Sequence, residues 1–349
     1  MKRTSLILII LIVFFSCKSE NKKNNLNEEG KKEVYNDTLY TIEDSYDIGD
    51  VRRYGVMPNQ GIGQHPKLLK DKMEVLLDIA EFGIELKFPK GVYDRTFNID
   101  NRKNIKIISD SALFTGAINI KNSKNITMKG VVQSLSKFYT RDTEEIDVNT
   151  IITKTDTVLK KNNLRSTGVE IHSGSHKVNI KKMVIKDLGS GPDNYKYIKA
   201  GLIVHGHNNE PTEIKLDSVV IESSDRHGAY LTGEDVDIKY LNIKNFGIGD
   251  GENMAKMEGG IEGEQTDFAG LWIKNCHNSF IDEVIIDINN SKGKYIFNFD
   301  IGEEFKPTVI ESITITGDKP KATLEKRIFS RTGVKYLKVK ENGKNERKL

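Results

Sequence analysis

The hexapeptide Gly201-Leu202-Ile203-Val204-His205-Gly206 constrains this chain most, because it recurs in altered form. Gly168-Val169-Glu170-Ile171-His172 precedes it, and Gly228-Ala229-Tyr230-Leu231-Thr232 and Gly270-Leu271-Trp272-Ile273-Lys274 follow, at intervals of 33, 27 and 42 residues. Each copy begins with glycine, alternates in polarity, and runs into a second apolar stretch, at residues 178–185, 214–221, 236–243 and 281–288. A two-strand unit repeated at such intervals cannot bury its apolar face alone and predicts a solenoid.

Successive strand residues point to opposite faces. The consistent apolar set, Val169 with Ile171, Leu202 with Val204, Ala229 with Leu231 and Leu271 with Ile273, is therefore expected inside. Glu170 and His172, Ile203 and His205, Tyr230 and Thr232, and Trp272 and Lys274 are then expected outside. Ser166, Lys199, Arg226 and Phe268, two residues before each glycine, extend that face, with His227 directed inward or sideways. A one-residue slip would exchange the faces, and the apolar pattern opposes it.

The 53 basic and 50 acidic side chains leave a formal charge of only +3, which gives no support to a nucleic-acid partner. Met1-Lys2-Arg3 followed by the apolar run 6–15 has the form of a secretory signal and is too short to span a bilayer. Phe14-Phe15-Ser16-Cys17 resembles a bacterial lipoprotein box, with a small residue before the cysteine that takes the lipid. The expected order is a signal peptide (1–16), a polar tether from lipidated Cys17 (17–47) and a single solenoid domain (48–349), held at the cell envelope as a monomer. Cys276 then has no intrachain partner, so packing and ladder hydrogen bonds must hold the fold.

Asp50-Val51-Arg52-Arg53-Tyr54-Gly55 reads as a short strand. Residues 66–82 read as one amphipathic helix, with Leu69, Met73, Leu76, Leu77 and Ala80 on one face and Gly83 at its C-terminal cap. Leu86-Lys87-Phe88-Pro89-Lys90-Gly91-Val92-Tyr93 follows as strand, turn and strand. These segments and the repeats, over roughly residues 48–320, resemble the pectin-lyase-like superfamily. The resemblance implies an all-β, right-handed parallel β-helix with an N-terminal capping α-helix. It also implies activity on polysaccharides, by lyases or by hydrolases of the polygalacturonase type. Pro58-Asn59-Gln60-Gly61-Ile62-Gly63 departs from the superfamily's usual Gly-Asp-Gly at this point.

Gly116 lies 52 residues before Gly168, with Ile126 and Met128 matching Val178 and Ile180, which predicts one rung followed by an insertion near 134–165. A second insertion is expected near 247–268. Both leave the coil at the same edge and would wall a groove over the first-strand face.

That face combines cations with aromatic area, which suits an acidic polysaccharide. For β-elimination, Arg226, Lys199 and Lys274 are candidates to neutralise a uronate carboxylate, and Tyr230, His205 or His172 to move the proton. A hydrolase would instead need paired carboxyl groups. The superfamily's Asp-Asp pair is missing from the first strands, and Glu170, Asp225, Glu258, Glu262, Glu264 and Asp267 are the available acids. Trp272, Glu258 and Glu262 complete the expected substrate contacts. Non-catalytic glycan binding is the third possibility. His205-Gly206-His207 with His172 and Glu170 forms no compact metal signature, while the resemblance leaves calcium bridging a uronate open.

Overall fold

A computed structural model describes residues 35–154, 167–187, 200–206, 209–248, 266–289, 291, 293–300, 306–317, 334–341 and 344–345. Two short helices, α1 (Asp37–Tyr40) and α2 (Lys72–Glu81), precede the strands. The first rungs comprise β1 (Leu86–Phe88), β2 (Gly91–Tyr93), β3 (Phe97–Asp100), β4 (Lys103–Phe114), β5 (Ile118–Lys121), β6 (Lys124–Ser134), β7 (Lys137–Arg141) and β8 (Glu144–Thr153). They continue as β9 (Gly168–His172), β10 (His176–Asp187), β11 (Ala200–His205), β12 (Thr212–Ser224) and β13 (His227–Lys244). The last are β14 (Thr266–His277), β15 (Phe280–Asp287), β16 (Gly293–Asp300), β17 (Thr308–Thr316), β18 (Val334–Glu341) and β19 (Lys344–Asn345).

Every named ladder is parallel except β18 with β19. Each strand pairs with its equivalent one turn of the coil away, which is the all-β parallel β-helix that the repeats predict. The inward column of first strands runs Phe97, Ile118, Phe138, Val169, Leu202, Ala229, Leu271 and Phe297 in unbroken register. The facing column of long strands runs Ile107, Met128, Val148, Ile180, Leu216, Ile238, Ile281 and Ile310. Both columns belong to one buried core.

Residues 134–165 are not simply an insertion, because β7 and β8 form a further complete rung. Phe138 joins the inward column, and Thr140 satisfies its hydroxyl against Ser175 Oγ at 3.0 Å. The interval from Gly116 to Gly168 therefore spans two rungs. Only 155–165 and 249–265 of the two expected insertions fall outside the described residues.

The cap also differs in detail. Residues 51–54 form a 3-10 turn capped by Asp50 rather than a strand. Helix α2 begins at Lys72, where the Asp71 side chain accepts from Met73 N, and Leu69 lies outside it. Met73, Leu76, Leu77, Ile79 and Ala80 close the open end of the core. Arg102 on the first rung grips Glu74, Asp78 and Glu81 at 3.0, 2.8 and 2.8 Å. Residues 35–47, expected as the end of the tether, are docked on this cap. Tyr35 stacks on Tyr40 at 5.8 Å, and Arg53 reaches Asp37 at 2.5 Å.

Candidate functional site on the first-strand face

Outside the coil the ladder aligns Asn98, Asn119, Tyr139, Glu170, Ile203, Tyr230, Trp272 and Asn298 in one column. A second column places His172 opposite His205 and Lys274 opposite Asp300. The expected face assignment is thus the observed one for Glu170, His172, Ile203, His205, Tyr230 and Trp272. A bulge after Leu231 shifts the ladder, so Gly233 pairs with Cys276 and the second column loses its regular step between Thr232 and Lys274.

Ring contacts run continuously along this face. Tyr139 meets His172 at 5.8 Å, His172 meets His205 at 5.7 Å, and His205 meets Tyr230 at 5.4 Å between centroids. Tyr230 meets Trp272 at 4.6 Å, Trp272 meets His227 at 4.9 Å, and His227 meets Phe268 at 4.9 Å. The tilted and edge-on pairings place ring edges on π faces, the geometry favoured by the ring quadrupole.

The two ends of the series differ in exposure. Tyr139, His172, Lys121 and Lys137 are half-buried, and Arg141 is exposed. Glu170, His205, Arg226, Tyr230 and Trp272 are buried, although the strand pattern alone placed them on an open face, and Asp225 just before the strand is buried as well. Ala200, Ile203, Tyr230, Ala269, Trp272 and Tyr295 form a second apolar cluster, separate from the core. A sheet's alternation fixes which side a residue faces and not whether that side meets water.

The glycine column explains where His227 goes. A Cβ on Gly228 would lie 2.4 Å from Ile243 Cγ2 and 2.5 Å from Gly270 O, so no side chain fits. That Cβ direction points toward the core, as does the neighbouring Ala229, so the alternation breaks there. His227 consequently joins the aromatic face, and its Nδ1 accepts from Ala269 N at 2.9 Å. His227, expected to point inward or sideways, therefore lies on the outer aromatic face, against Phe268 and Trp272, while Tyr139, Lys121 and Lys137 are not among the expected site residues. The register of Lys137-Phe138-Tyr139-Thr140 with β9 is the signal that recovers Tyr139 and Lys137, and the β5 register with β7 places Lys121 beside Arg141.

Electrostatically, the open end is basic around one ring. Lys137 Nζ lies 4.6 Å and Lys121 Nζ 5.7 Å from the Tyr139 ring centre. Lys137 also approaches the buried Glu170 carboxylate at 3.4 Å. Burial pushes the Tyr139 hydroxyl pKa up, against a smaller downward pull from Arg141. Farther along, the Glu210 carboxylate accepts from Gly206 N at 2.9 Å and from the Thr232 hydroxyl, tying the end of β11 to β13.

Cys17, Lys199, Glu258, Glu262, Glu264, His207 and Ser166 lie outside the described residues, as does the Asp267 side chain. Calcium requires several converging oxygen ligands. No group of three or more His, Cys, Asp or Glu side chains converges among the described residues.

Fold and face together define a parallel β-helix protein of the pectin-lyase-like form, with an aromatic and histidine series along its outer first strands. Searches against protein-family models, curated proteins and solved structures returned no match.

Proposed function

We propose that this chain cleaves an anionic polysaccharide by β-elimination at the open end of its first-strand face, while anchored to the bacterial envelope through Cys17. The cationic surround of Tyr139 beside half-exposed His172 carries this reading. Fold analogy supplies the substrate class and cannot supply the reaction.

Elimination asks three things of the protein. A uronate carboxylate must be neutralised, the adjacent C5 proton removed, and the departing C4 oxygen protonated as the C4–O bond breaks and the C4–C5 double bond forms. Lys121, Lys137 and Arg141 supply the positive charge. His172 is the half-exposed ring able to take the proton near neutral pH. Tyr139, whose raised pKa keeps its hydroxyl protonated, is suited to donate to the leaving oxygen.

The buried rings of His205, Tyr230 and Trp272 back His172 and fix its plane, so their role is positioning. Glu170 sets Lys137, while Asp225 and Arg226 are buried beside the strand and are assigned no contact with substrate. Lys274 extends the face, and Lys199, Glu258 and Glu262 are assigned to substrate contact from segments outside the described residues.

The test is a panel of uronate-containing, sulfated and neutral polysaccharides, with the products weighed by mass spectrometry. Elimination gives unsaturated ends and products one water lighter than hydrolysis products of equal length. Saturated products with new reducing ends would replace this reading with a carboxylate-pair hydrolase. Binding without cleavage would make the face a glycan-recognition surface.

A further inference from the structure

Leu69 is the most exposed large apolar residue of the described chain, at 75%. Its φ is +54°, a left-handed conformation that side chains other than Asn, Asp and Gly seldom adopt. The other non-glycine residues with positive φ are Asn, Asp, Ser, Glu and Lys, so Leu69 is the apolar exception among the described residues.

A dedicated frame holds it there. Leu69 N donates to His65 O at 2.9 Å, His65 N donates to Lys70 O at 2.7 Å, and Gln64 bridges to Asp71 below. The His65 ring is buried, with Nδ1 accepting from Lys67 N and Leu68 N at 3.3 Å each and Nε2 donating to Tyr40 O at 2.7 Å. Lys67 Nζ donates to Thr38 O and Thr41 O at 2.9 and 3.1 Å, which draws α1 against the loop. The same segment exposes Leu39 and Ile42, at 44% and 39%. Strain spent on displaying a leucine, rather than hiding it, marks a contact surface.

We infer that loop 65–70, with Leu39 and Ile42, is a lipid-facing surface that rests on the bilayer holding Cys17; this rests on the anchoring reading above. The described chain starts at Tyr35, inside this surface, where it stacks on Tyr40. Residues 18–34, at about 3.3–3.6 Å each, reach at most about 60 Å. The tether therefore joins the domain at this cap. Leu69 enters the acyl boundary as a wedge, and the exposed Lys70, which also pairs with Asp78 at 3.1 Å, meets headgroup phosphates. A second copy of the chain fits less well, because three apolar side chains on a loop fall far short of the roughly 20–30 residues a side of a stable protein interface.

The full chain carrying Leu69→Cys, labelled with a polarity-sensitive dye, is reconstituted in phosphatidylethanolamine–phosphatidylglycerol vesicles containing spin-labelled lipid quenchers. Lys335→Cys on β18 is the control, and buried Cys276 stays unlabelled. The expected result is a blue shift and several-fold stronger quenching at 69 than at 335. Equal quenching at both positions, with diacyl lipid found on Cys17 by mass spectrometry, overturns the surface and leaves the anchor standing. Absence of lipid on Cys17 removes the anchor and this inference with it. Energy transfer between labels on different copies, without lipid quenching, overturns it in favour of self-association.

Discussion

Trp272 lies one rung beyond Tyr230, with ring centroids 4.6 Å apart and planes at 60°, and both are buried on the outside of the coil. Residues facing away from a solenoid's core therefore form a second packed layer. Trp272→Ala should cost about 3–5 kcal/mol in denaturant unfolding, the range for a large side chain removed from a core. A double-mutant cycle with Tyr230→Ala should return a coupling of about 0.5–1.5 kcal/mol. A cost near zero for Trp272→Ala would mean the outer layer does not form.

The glycines that announce the repeat are sterically enforced. Gly228→Ala places a methyl group within 2.4 Å of Ile243 Cγ2, whereas a Cβ on Gly61 meets nothing within 4 Å. Thermal unfolding should show Gly228→Ala destabilised by about 1–3 kcal/mol and Gly61→Ala nearly unchanged. Equal effects at the two sites would detach the repeat's glycines from the close approach of rungs.

These two cases also show what was legible in the chain. Period-two alternation after each glycine gave the columns Glu170–Ile203–Tyr230–Trp272 and His172–His205 correctly, because a slip would bury charge and expose the aliphatic set. The rung of Lys137-Phe138-Tyr139-Thr140-Arg141 was hidden because it lacks the glycine and because Thr140 occupies an inward position, a choice made tolerable by a partner 35 residues away in Ser175. Burial of Tyr230 and Trp272 was hidden for a different reason. Alternation reports two sides of a sheet, and whatever lies over the outer side leaves no period in the strands themselves.

Asp37 fastens the segment 35–47 to the cap, and its hydrogen bond from Arg53 depresses its pKa from 3.8 to about 2. A depressed carboxylate contributes stability that is present above the unfolded pKa and lost as pH falls through the folded one. The Asp37→Asn variant should therefore be less stable than wild type at pH 5, with the difference fading between about pH 4 and 2. Unfolding midpoints across that range check it, and a difference that grows toward low pH would refute the assignment.

Cys276 is fully enclosed, and burial pushes its thiol pKa up to about 11. Very little thiolate exists at pH 8, and access is closed as well. An aromatic disulfide reagent should leave Cys276 unmodified in the native protein and react promptly in denaturant. Rapid native-state reaction would show that the last rungs open readily around Ser279 and Thr308, the residues that bond the Cys276 thiol and carbonyl.

The proposed elimination separates two residues that touch the same ring. His172 stacks on Tyr139 at 5.8 Å, and Lys121 Nζ lies 5.7 Å from the Tyr139 ring centre. If His172 takes the C5 proton, His172→Ala should lower kcat by about 10²–10⁴-fold, the usual contribution of a positioned base, with little change in KM. Lys121→Met instead removes one charge that holds the carboxylate. Its effect should appear mainly in KM, and raised salt should weaken wild-type binding more than that of the variant. Steady-state rates on the most active uronate polymer decide between these outcomes. Wild-type kcat in His172→Ala would move the base elsewhere on the face, and a Lys121→Met loss confined to kcat would show that the charge acts in the transition state rather than in binding.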